Sequence, residues 1–267
     1  MEQGQTPGSK HLAECDKSKD NCSRIKYSDS HLLIYYDLEL TDGSFASEIY
    51  QIGGKTGNSN FSSFMLPKGS IDWGVTKYAG GITITKDRDG QRQLTKKCVT
   101  IDSVDTKEGL VRFIKWIKHS KKEGNFEKVI LIAHGNLDMP ALLNNLARDN
   151  LMGRFRCTVD YFADSLTYCQ TKFKNWGKYN VPFLHKKVFN REKADVHDAL
   201  EDATALHDIM EEINKETKET YIETLLQQSF SVEAGHKMAK TRIARSLNKK
   251  PMKKHRMTKN LIRFLAL

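Results

Sequence analysis

In "HLLIYYDLEL" (31–40) an apolar run ends on two carboxylates, Asp37 and Glu39. Side chains two apart on a strand face the same side, so this pair points together. Acidic pairs are ordinarily solvated surface features, but Leu33, Ile34, Leu38 and Leu40 surround this one with apolar residues. Carboxylates sharing a confined site repel, and hard divalent cations offset their charge best. Two more acids follow apolar segments in the same manner. Asp138 lies just beyond "VILIAHGNL", and Asp202 lies in "HDALEDA" with His197 five residues before it. Each has a plainer reading: Asp138 as a helix N-cap ahead of Pro140, Asp202 as an exposed helix position beside Glu201, His197 as a surface residue.

The elements that must carry these residues are legible in outline. After 31–40, the segment "SFASEIYQIGG" (44–54) follows a Thr41-Asp42-Gly43 turn, and "NFSSFMLP" (60–67) reads as a third strand ended by Pro67. Together they predict an antiparallel meander. "GGITIT" and "KKCVTI" are strand-like, with "KDRDGQR" as a polar loop between them. Residues 105–124 have helical apolar spacing, with Thr106 as the expected cap and Gly124 beyond the end. "EKVILIAHG" (127–135) suggests a strand buried on both faces, and 139–152 a helix with Pro140 in its first turn. A strand and helix are expected over 155–170, then a helix over 196–216 capped by Asp195. A meander followed by alternating helix and strand predicts an α/β layered domain with a mixed sheet.

The five cysteines at 15, 22, 98, 157 and 169 are odd in number and form no C-x-x-C pair, the pattern of reduced thiols in an intracellular protein, nuclear or cytoplasmic. The N-terminal residues lack a secretory signal's apolar stretch, and no apolar run approaches bilayer length. Of the +10 net charge, eleven Lys/Arg fall from residue 237 onward with no acid among them, leaving 32 basic against 33 acidic residues elsewhere. Basicity therefore belongs to the tail. Residues 1–30 are polar and aperiodic and are expected to be disordered.

Taken in order, these segments resemble the motifs of the DnaQ-like 3′–5′ exonucleases of the DEDDh class, and among them the three-prime repair exonuclease-like members. "YYDLELTDG" resembles the first motif, D-x-E-x-T at the end of an apolar strand, and "SEIYQIGG" the strand that follows it. "AHGNLDMPALL" resembles the second motif, "VDYFADSLTY" supplies the Asp-Ser-Leu segment at 164–166, and "HDALEDA" matches the third motif, H-x-A-x-x-D-A. The second motif departs from the family pattern, since His134 to Asp138 is one residue shorter than usual. That spacing also invites comparison with relatives that keep the fold and lack the chemistry, such as the Exuperantia and Maelstrom RNA-binding proteins.

The resemblance implies an RNase H-like exonuclease fold over 31–217, a mixed central sheet flanked by helices; beyond it, 218–267 reads as a basic, partly helical tail. It implies that Asp37, Glu39, Asp138 and Asp202 bind two Mg²⁺ or Mn²⁺ ions at a 3′-terminal phosphodiester, with His197 as general base. The expected activity is 3′–5′ hydrolysis of single-stranded DNA or RNA to nucleoside 5′-monophosphates. The alternative is a catalytically inactive, nucleic-acid-binding protein on the same fold. In the tail, Lys249, Lys250, Lys253, Lys254 and Arg256 suit phosphate contacts, and "KKPMKK" also suits a nuclear import signal.

Overall fold

The computed structural model describes residues 30–193 and 197–247. Its centre is a seven-stranded mixed sheet. In chain order the strands are β1 (His31–Leu40), β2 (Ile49–Thr56), β3 (Ser59–Leu66), β7 (Val104–Asp105), β8 (Lys128–Ala133), β9 (Tyr161–Asp164) and β10 (Phe230–Ser231). Their spatial order is β10-β9-β8-β1-β2-β3-β7. The expected meander is present, with β1–β2 and β2–β3 antiparallel, while β8 runs parallel to β1 and β9 parallel to β8.

Strand β1 is central, and its sequence explains why. Every residue from Leu32 to Tyr36 is buried, because both faces of the strand are covered. Leu32, Ile34 and Tyr36 join one core with Val129 and Leu131, against helices α2 (Thr106–Glu123) and α3 (Asp138–Arg148). Leu33 and Tyr35 join the opposite core with Ile130 and Ile132. That second core is closed by α5 (Ser165–Lys172), α6 (Val181–Phe189), α7 (Ala199–Ile213) and α8 (Lys218–Gln228). A short α4 (Met152–Arg156) follows α3. By parity Asp37 and Glu39 belong to the α7 side of the sheet.

Several local expectations shift. The cap of α2 is Asp105, whose carboxylate accepts from the Glu108 amide at 3.0 Å, with Thr106 as the first helical residue. α7 starts at Ala199 and is capped by Asp198; the expected cap, Asp195, lies outside the described residues. Between β3 and β7 stand a short helix α1 (Trp73–Tyr78) and a separate antiparallel sheet of β4 (Ile82–Lys86), β5 (Arg92–Lys96) and β6 (Val99–Thr100). The expected strand "KKCVTI" is broken there, since Lys97 and Cys98 take positive φ and turn the chain.

The packed body also runs past residue 217. Tyr221, Ile222 and Leu225 of α8 are buried in the second core, and β10 pairs with β9. A final helix, α9 (Val232–Leu247), buries Val232 and Ala239 in the first core. Gly235 lets it approach α3 closely, since a Cβ there would stand 3.1 Å from the Met139 sulfur. Among the described residues, no helix is long and apolar enough to cross a membrane.

Candidate metal-binding active site

The C-terminal ends of parallel strands β1 and β8 open on one side of the sheet, where ligand sites of α/β folds collect. Asp37 and Glu39 project there from β1. Asp202 reaches them from α7, on the turn after the buried Ala199. Carboxylate oxygens of Asp37, Glu39 and Asp202 all lie within 4.8 Å of one another. Neither Asp138 nor His197 is part of that set.

Asp138 is nonetheless close. It is buried as the first residue of α3, and the N-cap position is Leu137, which makes no side-chain cap bond. Burial lifts the Asp138 carboxyl to about 7, opposed by its own amide and that of Leu38 and reinforced by the charge of Asp164. The Asp37 carboxyl is raised well above the usual carboxylate range by burial, then by the charges of Asp138, Asp202 and Glu39, with Lys193 opposing. Glu39 is pushed up to about 8, again chiefly by burial, against a hydrogen bond from Tyr50. The Tyr36 hydroxyl, without a hydrogen-bond partner among the described residues, is raised by its burial and then by the charges of Asp138, Asp37 and Asp164. Crowded and oxygen-only, this donor set suits a hard divalent ion such as Mg²⁺ or Mn²⁺.

The surrounding motif residues hold the frame. Thr41 of D-x-E-x-T is buried, and its hydroxyl accepts from the Glu48 amide at 3.0 Å. The Tyr50 hydroxyl donates to Glu39 at 3.0 Å, from the irregular point of the β1–β2 ladder. Gln51 of β2 donates to Asp198 at 2.9 Å, joining the strand to the cap of α7. Gly53, paired with Asp37, lets the first turn of α7 approach the sheet. In the second motif His134 is structural. Its ring contacts the Ser165 hydroxyl at 3.0 Å and the Tyr179 carbonyl, and burial lowers its basicity. Asp164 caps α5 and accepts from the Gly135 amide at 2.9 Å, so the Asp-Ser-Leu segment fastens the loop before Asp138. The Asn136 carbonyl accepts from Arg242 of α9 at 3.0 Å.

His197 stands two residues ahead of α7 with φ 45°, at the entrance of the helix and outside its regular turns. Lys193 was not legible from motif spacing. Its ammonium is ion-paired with Asp202 at 2.5 Å and lies inside the acidic field. The arginine and lysines expected to meet phosphate at 249–256 lie outside the described residues. Lys237, Lys240, Arg242 and Arg245 of the same basic stretch are on α9.

A mixed sheet with two acids at the end of β1, one on the helix start that follows β8 and a fourth from a covering helix is the arrangement of an RNase H-like exonuclease fold. Residues 31–188 match the family described as the Exuperantia RNAse H-like domain, and the chain belongs to that family. Its fold is similar to that of a solved structure described as "3'-end specific recognition of histone mRNA stem-loop by 3'-exonuclease". The identity is 13%, the TM-score 0.51, and the match covers 71% of this chain and 85% of that one. A full-length 3′-exonuclease structure is similar at 14% identity and TM-score 0.51, over 72% of this chain and 62% of that one. No curated protein matches the chain.

Proposed function

We propose that the protein is a metal-dependent 3′–5′ exonuclease acting on single-stranded DNA or RNA. One observation carries this reading: Asp37, Glu39 and Asp202, from motifs at opposite ends of the domain, bring their carboxylate oxygens within 4.8 Å of one another. Asp37, Glu39 and Asp202, with Asp138 beside them, would hold Mg²⁺ or Mn²⁺, which when bound would supply charge stabilisation for the attacking and leaving oxygens of an in-line displacement. His197 takes the proton of the attacking water. The water oxygen bonds to phosphorus as the P–O3′ bond breaks, and the departing O3′ takes a proton from solvent, leaving a nucleoside 5′-monophosphate and a new 3′-hydroxyl. Tyr50 and Gln51 keep Glu39 and the start of α7 in position. The basic residues of α9 and the segment beyond it meet the phosphates upstream of the cleaved bond.

A second reading is favoured by the Lys193–Asp202 ion pair, in which an ammonium already offsets part of the acidic charge. On that reading the chain binds single-stranded nucleic acid without hydrolysing it. One experiment separates the two. Purified protein is incubated with 5′-labelled single-stranded DNA and RNA in Mg²⁺ and in Mn²⁺, beside an Asp202→Asn variant. A ladder shortening from the 3′ end, absent in the variant, supports the exonuclease. Retained binding with every substrate intact overturns it in favour of the binding protein.

A further inference from the structure

Trp73 is 70% exposed, the most exposed large apolar side chain among the described residues. Its position is not required by the folding of its own segment. The small core beneath α1 and the three-stranded sheet is formed by Tyr50, Ala79, Ile82 and Leu94, with Ile71 and Val75 packed on it. Trp73 stays outside that cluster, although it is the largest apolar side chain in the segment. The segment is fastened to the rim of the acidic site. The Asp72 amide donates to the Thr41 carbonyl at 2.8 Å, two residues beyond Glu39. The ring of Tyr50, whose hydroxyl reaches Glu39, is part of the same small core. Arg92 donates to the carbonyls of Lys68 and Gly69, and Glu48 accepts from both of their amides, so the loop leading to Trp73 is held at both sides.

Charge adds a second, independent observation. Residues 68–103 carry seven Lys/Arg against four Asp, a net positive module beside a site that is acidic. Two of those acids are spent on local structure: Asp72 caps α1, and Asp87 accepts from the amides of Asp89 and Gln91. The Lys77 ammonium stands 5.6 Å from the centroid of the Trp73 ring. A flat apolar plate with a cation over one face and the other face open to a base, on a basic segment, has the elements of a single-strand binding platform: a ring for a base and a charge for its phosphate.

We propose that Trp73 is a stacking platform for a base of a single-stranded nucleic acid whose end is directed to the acidic site, with Lys77 meeting an adjoining phosphate. This rests on the reading of that site as one that takes a nucleic-acid end. Stacking tolerates every base, so the platform sets affinity and the path of the strand and leaves sequence unread.

The test uses the full chain in EDTA, so that no turnover occurs, with labelled single-stranded DNA and RNA ten-mers followed by fluorescence anisotropy. Intrinsic fluorescence is followed in parallel. Trp73→Leu, which keeps an apolar side chain at an exposed position, is expected to weaken binding roughly 5- to 100-fold, and Trp73→Phe to restore most of it. The wild-type chain is expected to show tryptophan quenching on binding that the Leu variant lacks, since Trp116 and Trp176 remain in both. Wild-type affinity in the Leu variant, or binding without quenching, overturns the platform, as does an absence of binding by the wild-type chain. The two proposals fail separately. Metal-dependent shortening with Trp73-independent binding removes the platform alone, and Trp73-dependent binding without shortening removes the exonuclease alone.

Discussion

Gly53 is paired with Asp37 in the β1–β2 ladder, and the first turn of α7 presses against it. In Gly53→Ala the new Cβ would stand 2.2 Å from the carbonyl carbon and oxygen of Ala199 and 2.3 Å from the Leu200 nitrogen. All three are backbone atoms, so no side-chain rotation relieves the clash. Ordinary contact begins at 3.4 Å, so the start of α7 must lift by about 1.2 Å. Overpacking of this kind costs about 1–3 kcal/mol, more than the ~0.5–1 kcal/mol that alanine gains over glycine in a strand interior. The lifted turn carries Asp198, which caps the helix and accepts from Gln51, and one turn later Asp202. A displacement near 1 Å at a reacting site costs on the order of 100-fold in rate. Urea denaturation of the metal-free chain should therefore show a loss of stability, and the thermal shift on adding Mn²⁺ should shrink. Gly109→Ala is the control, since its Cβ would meet the flexible Met65 side chain at 2.5 Å, and the Mn²⁺ response should survive there. Wild-type stability and Mn²⁺ response in Gly53→Ala would falsify the idea that this close approach holds the acids together.

The raised carboxyls predict an unusual pH dependence. Between its ordinary value of 4.5 and about 8, Glu39 keeps a proton in the folded chain that the unfolded chain has lost. The folded state thus binds more protons, and stability falls as pH rises through that window. The metal-free melting temperature should decline from pH 5 to pH 8.5, and Glu39→Gln should flatten the decline; a rise in the wild-type chain would contradict the burial argument. Lys193→Met removes the ammonium paired with Asp202, at a cost on the order of 1–3 kcal/mol, below that of a fully buried pair because both side chains are partly exposed. The metal-free melting temperature should drop and the Mn²⁺-induced rise should grow; an unchanged rise would mean that lysine and metal do not compete. Truncation after Leu247 removes seven Lys/Arg while leaving packed α9 in place. The salt slope of single-strand binding should fall by at most about 5, and an unaltered slope would exclude phosphate contacts from that segment.

The sequence alone was enough to mark 31–40 as a buried strand, because its apolar run is unbroken before Asp37, and the folded chain adds that one core covers each of its faces. It also indicated that Asp37 and Glu39 share a side, since strand alternation is local geometry. The ordered motifs pointed to the fold before any contact was known. Other features depend on approach in space. Asp202 meets the strand acids because Gly53 and the Gln51–Asp198 bond seat α7 on β2, a contact between residues nearly 150 positions apart. Lys193 carries no mark in its neighbours that would place it on Asp202. The tail offered another contrast. The segment from 218 onward was expected to be a basic, partly helical tail, and Tyr221, Ile222 and Leu225, and later Val232 and Ala239, pack into the two cores. Helical spacing hides these residues among charges until a partner face exists to receive them. Trp73 is the converse case, an apolar residue that tertiary packing leaves in water, and only the folded chain shows its segment tied to Thr41, two residues beyond Glu39.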